Sequence, residues 1–90
     1  MLKLLIENLL IAAWKQLELP AVAMEVHPSE RPEFGDFSTN LALVGARVAG
    51  LPPRELAERL AKKLPKDAFS QLEIAGPGFI NLFLHTSTIQ

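Results

Sequence analysis

The sequence predicts an α+β domain in which three helices pack on one face of a small, mainly antiparallel sheet, in the order helix, strand, helix, helix, strand, strand. Apolar residues recur at helical spacing in three segments, short apolar runs alternate in three others, and proline and glycine separate them. Ninety residues with 49% hydrophobic content suffice for one core, so we expect a single domain over residues 1–90.

The first helix is predicted over residues 2–17, where Pro20 follows and closes the segment. Its apolar face is wide, and we expect Trp14 to be a core residue. Charged residues such as Lys3 and Glu7 interrupt the apolar run, which therefore fits neither a membrane-spanning helix nor a secretory signal. We expect a cytoplasmic chain that does not contact a membrane.

Residues 21–27 alternate between apolar and other side chains and predict a short strand, and residues 28–36 predict a loop rich in proline and charge. The sequence has no cysteine, which excludes thiol chemistry and thiolate metal sites. The two histidines, His27 and His85, are far apart in the sequence, and we expect no metal site and no cofactor in this domain.

The second helix is predicted over residues 39–49, after side chains able to cap it at positions 38–40 and before Gly50, which is placed to end it. Gly45 lies inside this helix and costs about 1 kcal/mol relative to alanine, unless it allows another backbone to approach closely.

The third helix begins at Pro52 and Pro53 and ends before Pro65. Two pairs with the acid first and the base four residues later are expected to support it: Glu55 with Arg59, and Glu58 with Lys62. These pairs, and lysines near the negative end of the helix dipole, explain most of the basic residues of this region without any partner.

Charge is unevenly distributed along the chain, although the net charge is only -1. Residues 18–36 hold five acidic residues and one basic residue, a net charge of -4, whereas residues 37–66 hold six basic and two acidic residues, a net charge of +4. The small net charge argues against a strongly electrostatic nucleic-acid binder, but one region could face phosphates.

Two strands are predicted over residues 71–75 and 79–84, joined by Gly76, Pro77 and Gly78. Proline at the second position and glycine at the third of a turn over residues 76–79 predict a type II turn. Side chains alternate along a strand. The face formed by Ile80, Leu82 and Leu84 should enter the core, and the face formed by Phe79, Asn81 and Phe83 should be exposed.

An aromatic ring beside a carboxamide is suited to one unstacked nucleobase, because the ring stacks on the base and the amide pairs with its edge. Adenine suits Asn81 particularly well. Residues of these types also have structural roles, since a phenylalanine after a turn often closes a core and a strand asparagine often bonds to backbone. From the residues alone the structural role is the commoner one, and both remain open.

Three segments together resemble the N-terminal additional domain of arginyl-tRNA synthetase: EFGDFSTNLAL at residues 33–43, PPRELAERLAKKL at residues 52–64 and GPGFINLFL at residues 76–84. The similarity extends from the first helix to Leu84. Phe37 stands where many relatives have tyrosine, and Phe34 where several have histidine.

The resemblance implies binding to the D-loop of tRNA(Arg). It implies that Phe79 stacks on a D-loop base, that Asn81 hydrogen-bonds to that base, and that the turn formed by Gly76, Pro77 and Gly78 brings backbone close to the nucleotide. It also implies structural roles for Asp36 and Asn40. The partners expected are therefore the tRNA and the catalytic core of the same synthetase, and the domain itself is expected to be monomeric.

The chain is not expected to be an enzyme by itself, because the two ATP-binding signatures of the family, HIGH and KMSKS, do not occur in it. The parent ligase implied by the resemblance uses ATP and Mg for arginylation. The alternative is a protein-interaction module that docks a partner domain through a sheet edge or an exposed Phe83, without direct RNA contact.

Overall fold

The computed structural model describes residues 2–85, in which three helices cover one face of a four-stranded antiparallel sheet. The elements are α1 (Leu2–Lys15), β1 (Val26–Pro28), β2 (Phe37–Thr39), α2 (Leu41–Ala49), α3 (Pro53–Lys63), β3 (Phe69–Ala75) and β4 (Phe79–Leu84). The strands lie in the order β1-β2-β4-β3. The predicted α+β class and element order are confirmed, with one further strand, β2, between β1 and α2.

Strand β2 was not predicted, because three residues are too short to show alternation and their pairing is entirely long-range. It pairs with β1 on one side and with β4 on the other. Helix α2 therefore begins at Leu41 rather than at position 39. The Thr39 hydroxyl accepts a hydrogen bond from the Leu41 N–H at 3.2 Å. Thr39, one of the predicted capping positions, therefore binds a backbone N–H at the start of α2.

Strand β1 is shorter than predicted and is shifted toward the C-terminus. Only Val26–Pro28 pair with a neighbour, because β2 offers three residues and then turns into α2. The residues before β1 are held mainly by side chains, with one backbone hydrogen bond from the Asn40 N–H to the Glu25 carbonyl at 3.4 Å. The indole N–H of Trp14 donates to the Pro20 carbonyl at 2.9 Å, and the Asn40 side-chain oxygen accepts from the Glu25 N–H at 2.7 Å.

The core lies between the helices and one face of the sheet. Its fully buried members include residues from all three helices and from β4: Ile6, Leu10, Leu41, Leu56, Leu60, Ile80 and Leu82. Trp14 is buried, as predicted. A Cβ at Gly45 would lie 2.4 Å from the Trp14 ring, so the close neighbour at this glycine is a side chain and not the predicted backbone.

Helix α3 begins at Pro53 and Gly50 ends α2, as predicted. Gly50 adopts the left-handed conformation. Arg59 and Glu55 form the expected pair at 3.2 Å, whereas the pair expected between Glu58 and Lys62 is not among the ion pairs of the described residues. None of the helices in the described part of the chain has the length and apolar character needed to cross a bilayer.

Candidate functional site

The Gly-Pro-Gly connection between β3 and β4 is a tight turn held against the start of α3. Its hydrogen bond joins the Gly78 N–H to the Ala75 carbonyl at 3.2 Å, so the turn begins one residue earlier than the predicted type II turn. Gly76 and Gly78 both have positive φ, 54° and 152°. A Cβ at Gly78 would lie 2.7 Å from the Cβ of Pro53, so the close packing also requires glycine there.

The side chains of β4 alternate as predicted, but the second face is not uniformly exposed. Ile80, Leu82 and Leu84 are buried in the core, and Phe79 on the other face is 42% exposed. Asn81 is only 7% exposed, which corrects the expectation of an exposed amide. It lies in a central strand between its cross-strand neighbours Ser38 and Glu73, so neighbouring strands cover its flanks.

Above this sheet face lies a groove of about 320 Å³, here called the sheet groove. Part of its lining comes from the sheet: Ser38, Ala75, Phe79 and Asn81. The rest comes from the loop that connects β1 to β2: Ser29, Glu30, Arg31 and Phe34. Phe79 and Asn81, the two residues singled out from the sequence, are therefore brought together in one groove.

The loop that lines the sheet groove is anchored to β4 by Asp36. The Asp36 N–H donates to the Leu82 carbonyl at 2.8 Å, and its carboxylate accepts from the Leu84 N–H at 2.9 Å. The adjacent Gly35 has φ 92°, and a Cβ there would lie 2.7 Å from the Leu82 carbonyl oxygen. The structural role expected for Asp36 agrees with these contacts, as does that of Asn40 with its bond to Glu25.

The carboxamide of Asn81 is the chemically notable group of the sheet groove. Within the described residues it makes no side-chain hydrogen bond. Every fully buried side-chain nitrogen or oxygen in this part of the chain has a partner, so the Asn81 amide atoms must still reach solvent through the groove. A nearly buried amide without an internal partner retains both its donors and its acceptor for a ligand.

Some predicted site residues do not line the sheet groove. Gly76, Pro77 and Gly78 are outside its lining, at the end of β4 where Phe79 begins. Phe83, expected to be exposed, is half-buried, because the loop at Gly35 lies over it: a Cβ at Gly35 would be 3.3 Å from the Phe83 ring.

Sequence reasoning missed the loop residues of the groove, of which Phe34 is the most prominent. It is 49% exposed, within the short 3-10 turn Pro32–Phe34. The available signal was a large aromatic residue in a loop otherwise made of proline, glycine, serine and charged residues. In the described residues no cluster of histidine and acidic side chains could hold a metal ion; His27 pairs with Glu25 at 2.8 Å on the surface.

The chain is similar in sequence to named proteins. The chain is 53% identical over 70 residues to an arginine–tRNA ligase of Parvibaculum lavamentivorans, covering 77% of this chain and 12% of that protein. It is 51% identical over 63 residues to an arginine–tRNA ligase of a Psychrobacter species, covering 69% of this chain and 10% of that protein. The chain thus spans about a tenth of the length of these relatives.

Two solved structures share the fold. The arginyl-tRNA synthetase of Plasmodium falciparum superposes with a TM-score of 0.80 at 16% identity, covering 93% of this chain and 16% of that one. That of Thermus thermophilus superposes with a TM-score of 0.73 at 24% identity, covering 99% of this chain and 15% of that one. The family model for the arginyl tRNA synthetase N terminal domain matches residues 2–84. The chain therefore belongs to the family of arginyl-tRNA synthetase N-terminal domains.

Proposed function

We propose that this domain binds the D-loop of tRNA(Arg) by holding one unstacked base in the sheet groove. The observation that carries the proposal is the Asn81 carboxamide, which is nearly buried, has no hydrogen-bond partner among the described residues and lies beside the exposed ring of Phe79. An amide with free donors and a free acceptor can pair with two atoms on one base edge.

Phe79 supplies the stacking surface in this proposal. The Phe79 side chain is 42% exposed, so part of its ring surface remains free for a partner, and stacking of a base on an aromatic ring is worth about 1 to 3 kcal/mol. The turn before it is held by Pro53 packing and by a hydrogen bond from Arg54 to the Gly76 carbonyl. The ring therefore stands on a rigid support, which reduces the entropy lost on binding.

Charge near the groove supports base recognition more than phosphate attraction. Glu30 and Arg31 both line it, so their charges offset each other, and the chain as a whole has a net charge of -1. A single base contact without many phosphate contacts gives weak binding by itself. We therefore expect the domain to add specificity to an enzyme that binds the rest of the tRNA.

Replacing Asn81 by alanine in the ligase tests the proposal. The substitution should weaken use of tRNA(Arg) by about 1 to 3 kcal/mol, expressed in kcat/KM, because the base edge loses its bidentate partner. ATP and arginine dependence should not change, because both substrates bind outside this domain. Unchanged tRNA kinetics would contradict the role given to Asn81.

Ser70→Ala is a matched control. Ser70 lies on edge strand β3, is exposed and stands outside the groove, and its hydroxyl is bonded to the Phe83 carbonyl at 3.3 Å. Its replacement removes a polar group of the same sheet without altering the groove. It should leave tRNA kinetics unchanged, which separates loss of the Asn81 amide from a general effect of altering the sheet.

The reaction that this domain serves, in the same proposal, is ATP-dependent arginylation, carried out with Mg by a catalytic core outside these residues and in the cytoplasm. The relatives named arginine–tRNA ligase, of which the matching segment is about a tenth, support this assignment. We propose that the domain acts as a monomer beside that core.

A second candidate function is docking of a partner domain without RNA contact, and a different surface favours it. A cavity of about 300 Å³ with mainly apolar walls lies between α1 and the segment before β1, lined among others by Ile11, Leu19 and Met24. Ile11 is exposed, as is Val48 of α2. Apolar side chains on two helices are the kind of surface that packs against another domain.

Ile11→Ser and Val48→Ser separate the two candidates. If docking of the catalytic core is the main role, these variants should lower the melting temperature of the ligase by more than they lower that of the isolated chain, in which both side chains are already partly buried. The other outcome is that Ile11→Ser and Val48→Ser change neither the melting temperature of the ligase nor its tRNA kinetics, while Asn81→Ala changes the tRNA kinetics. That outcome supports the RNA role alone.

A further inference from the structure

We propose that Phe34 is a second stacking residue, so that the bound base lies between the Phe79 ring on the sheet and the Phe34 ring on the loop. This inference rests on the proposed function, since it names a further binding residue of the same groove. Both rings line the sheet groove, one from β4 and one from the loop between β1 and β2.

The exposure of Phe34 is the first observation. The side chain is 49% exposed and lies outside the buried core and the residues packed against it. A phenylalanine in this state leaves about half of its possible burial energy unused. In a loop otherwise composed of polar, charged, glycine and proline residues, a ring that lines a groove is suited to a partner that supplies a flat apolar surface.

The backbone around Phe34 is fixed even though its ring is not packed in the core. The Phe34 N–H donates to the Arg31 carbonyl at 3.0 Å, and the Phe34 carbonyl accepts from the Ser29 hydroxyl at 3.3 Å. The following residues, Gly35 and Asp36, are tied to β4 through the contacts described above. Because its backbone is fixed and its ring is exposed, Phe34 forms a preorganised wall of the sheet groove, which needs little ordering when a ligand enters.

The volume and the lining of the groove suit a ligand of about the size of one base. Its volume of about 320 Å³ is at the small end of the range of ligand sites, about 300 to 1,000 Å³. Asn81 lies in the lining with Ser38 as its cross-strand neighbour, and both can hydrogen-bond to a base edge. Recognition of single-stranded RNA commonly combines stacking on aromatic rings with hydrogen bonds to base edges.

An abasic scan of the D-loop tests this inference. Transcripts of tRNA(Arg) lacking one D-loop base at a time are used as substrates for the ligase and its Phe34→Leu, Phe79→Leu and Asn81→Ala variants. On intact tRNA, Phe34→Leu should lower kcat/KM at least about fivefold, which corresponds to the lower end of base–aromatic stacking. Phe34→Tyr should restore most of the activity, because it restores the ring.

The informative result is the abasic position at which the Phe79→Leu effect disappears. At that same position the Phe34→Leu effect should disappear as well, because neither ring then has a base to contact. If Phe34→Leu lowers kcat/KM equally on intact and abasic transcripts, or if Phe34→Tyr does not restore it, Phe34 does not stack on the base and the inference is overturned.

Failure of the proposed function would look different. If Phe79→Leu and Asn81→Ala have no effect on any transcript, the groove does not hold a base, and the inference falls with it. If both have effects confined to one base while Phe34→Leu has none, the groove holds the base against one ring only. Leu4→Ala, which shortens an exposed apolar side chain of α1 away from the groove, is the matched control.

Discussion

The two faces of strand β4 differ in what their side chains contribute to the molecule. Toward the helices, Ile80 and Leu82 are fully buried in apolar contact. Toward the sheet groove, Asn81 is nearly buried while its carboxamide makes no hydrogen bond within the described residues, and Phe79 is exposed. One face stabilises the fold, and the other leaves polar and aromatic groups available to a ligand. Neighbouring residues in the same strand can therefore be altered to affect stability and binding separately.

Among the substitutions that test this difference between the two faces, Leu82→Ala is expected to change the free energy of unfolding most. Removing a fully buried leucine side chain should lower the free energy of unfolding by about 2 to 5 kcal/mol, because the transfer energy is lost and a cavity remains. Urea denaturation of the 90-residue chain measures it. A loss below ~1 kcal/mol would mean that the helix-facing side of β4 is not the tightly packed side.

Gly78→Ala probes the rigid turn that supports Phe79. The added Cβ would meet Pro53 at 2.7 Å, and the backbone φ of 152° disfavours alanine. We expect a loss of about 2 to 4 kcal/mol in the free energy of unfolding, from strain and overpacking together. Gly50→Ala provides a comparison, since its φ is also positive but no atom lies within 4 Å of the added carbon; thermal denaturation should show a smaller loss there.

Asp36→Ala tests the anchor between the groove loop and β4. The substitution removes the carboxylate that accepts a hydrogen bond from the Leu84 N–H, and the free energy of unfolding should fall by about 1 to 2 kcal/mol. Hydrogen exchange should show faster exchange of the Leu84 amide in the variant. An unchanged exchange rate would show that the loop is held by other contacts.

Arg59→Gln is expected to have the smallest effect. The pair with Glu55 is exposed and lies on α3, away from the groove, so its loss should cost about 0.3 to 0.5 kcal/mol. The free energies of unfolding of the original chain and the variant should differ at low salt and converge at high salt, because salt screens the exposed pair. A larger effect on tRNA use than on stability would reveal a phosphate contact on α3.

How much of the fold could be predicted differs between the elements. The helices were found because their apolar spacing and their prolines and glycines are local signals, and the β3–β4 hairpin because its turn is local too. Strand β2 and the true extent of β1 depend on pairing between distant residues, which alternation over three residues cannot show.

The same distinction applies to the candidate site. Alternation along β4 placed Phe79 and Asn81 on one face, since that geometry is fixed within the strand. The burial of Asn81 and the contribution of Phe34 depend on a loop that returns to β4 through Asp36, a contact between residues 48 positions apart. Such long-range closure has no signature in a local sequence pattern.

The central claim is that the groove-facing side of β4 binds RNA while the other side stabilises the fold. Its most direct test is NMR titration of the 15N-labelled chain with a hairpin that reproduces the D-arm of tRNA(Arg). The account predicts amide shift changes centred on Phe79 and Asn81, extending to the loop at Phe34, with none on α1. Changes confined to the exposed residues of α1 and α2, or no changes even at millimolar RNA, would contradict it.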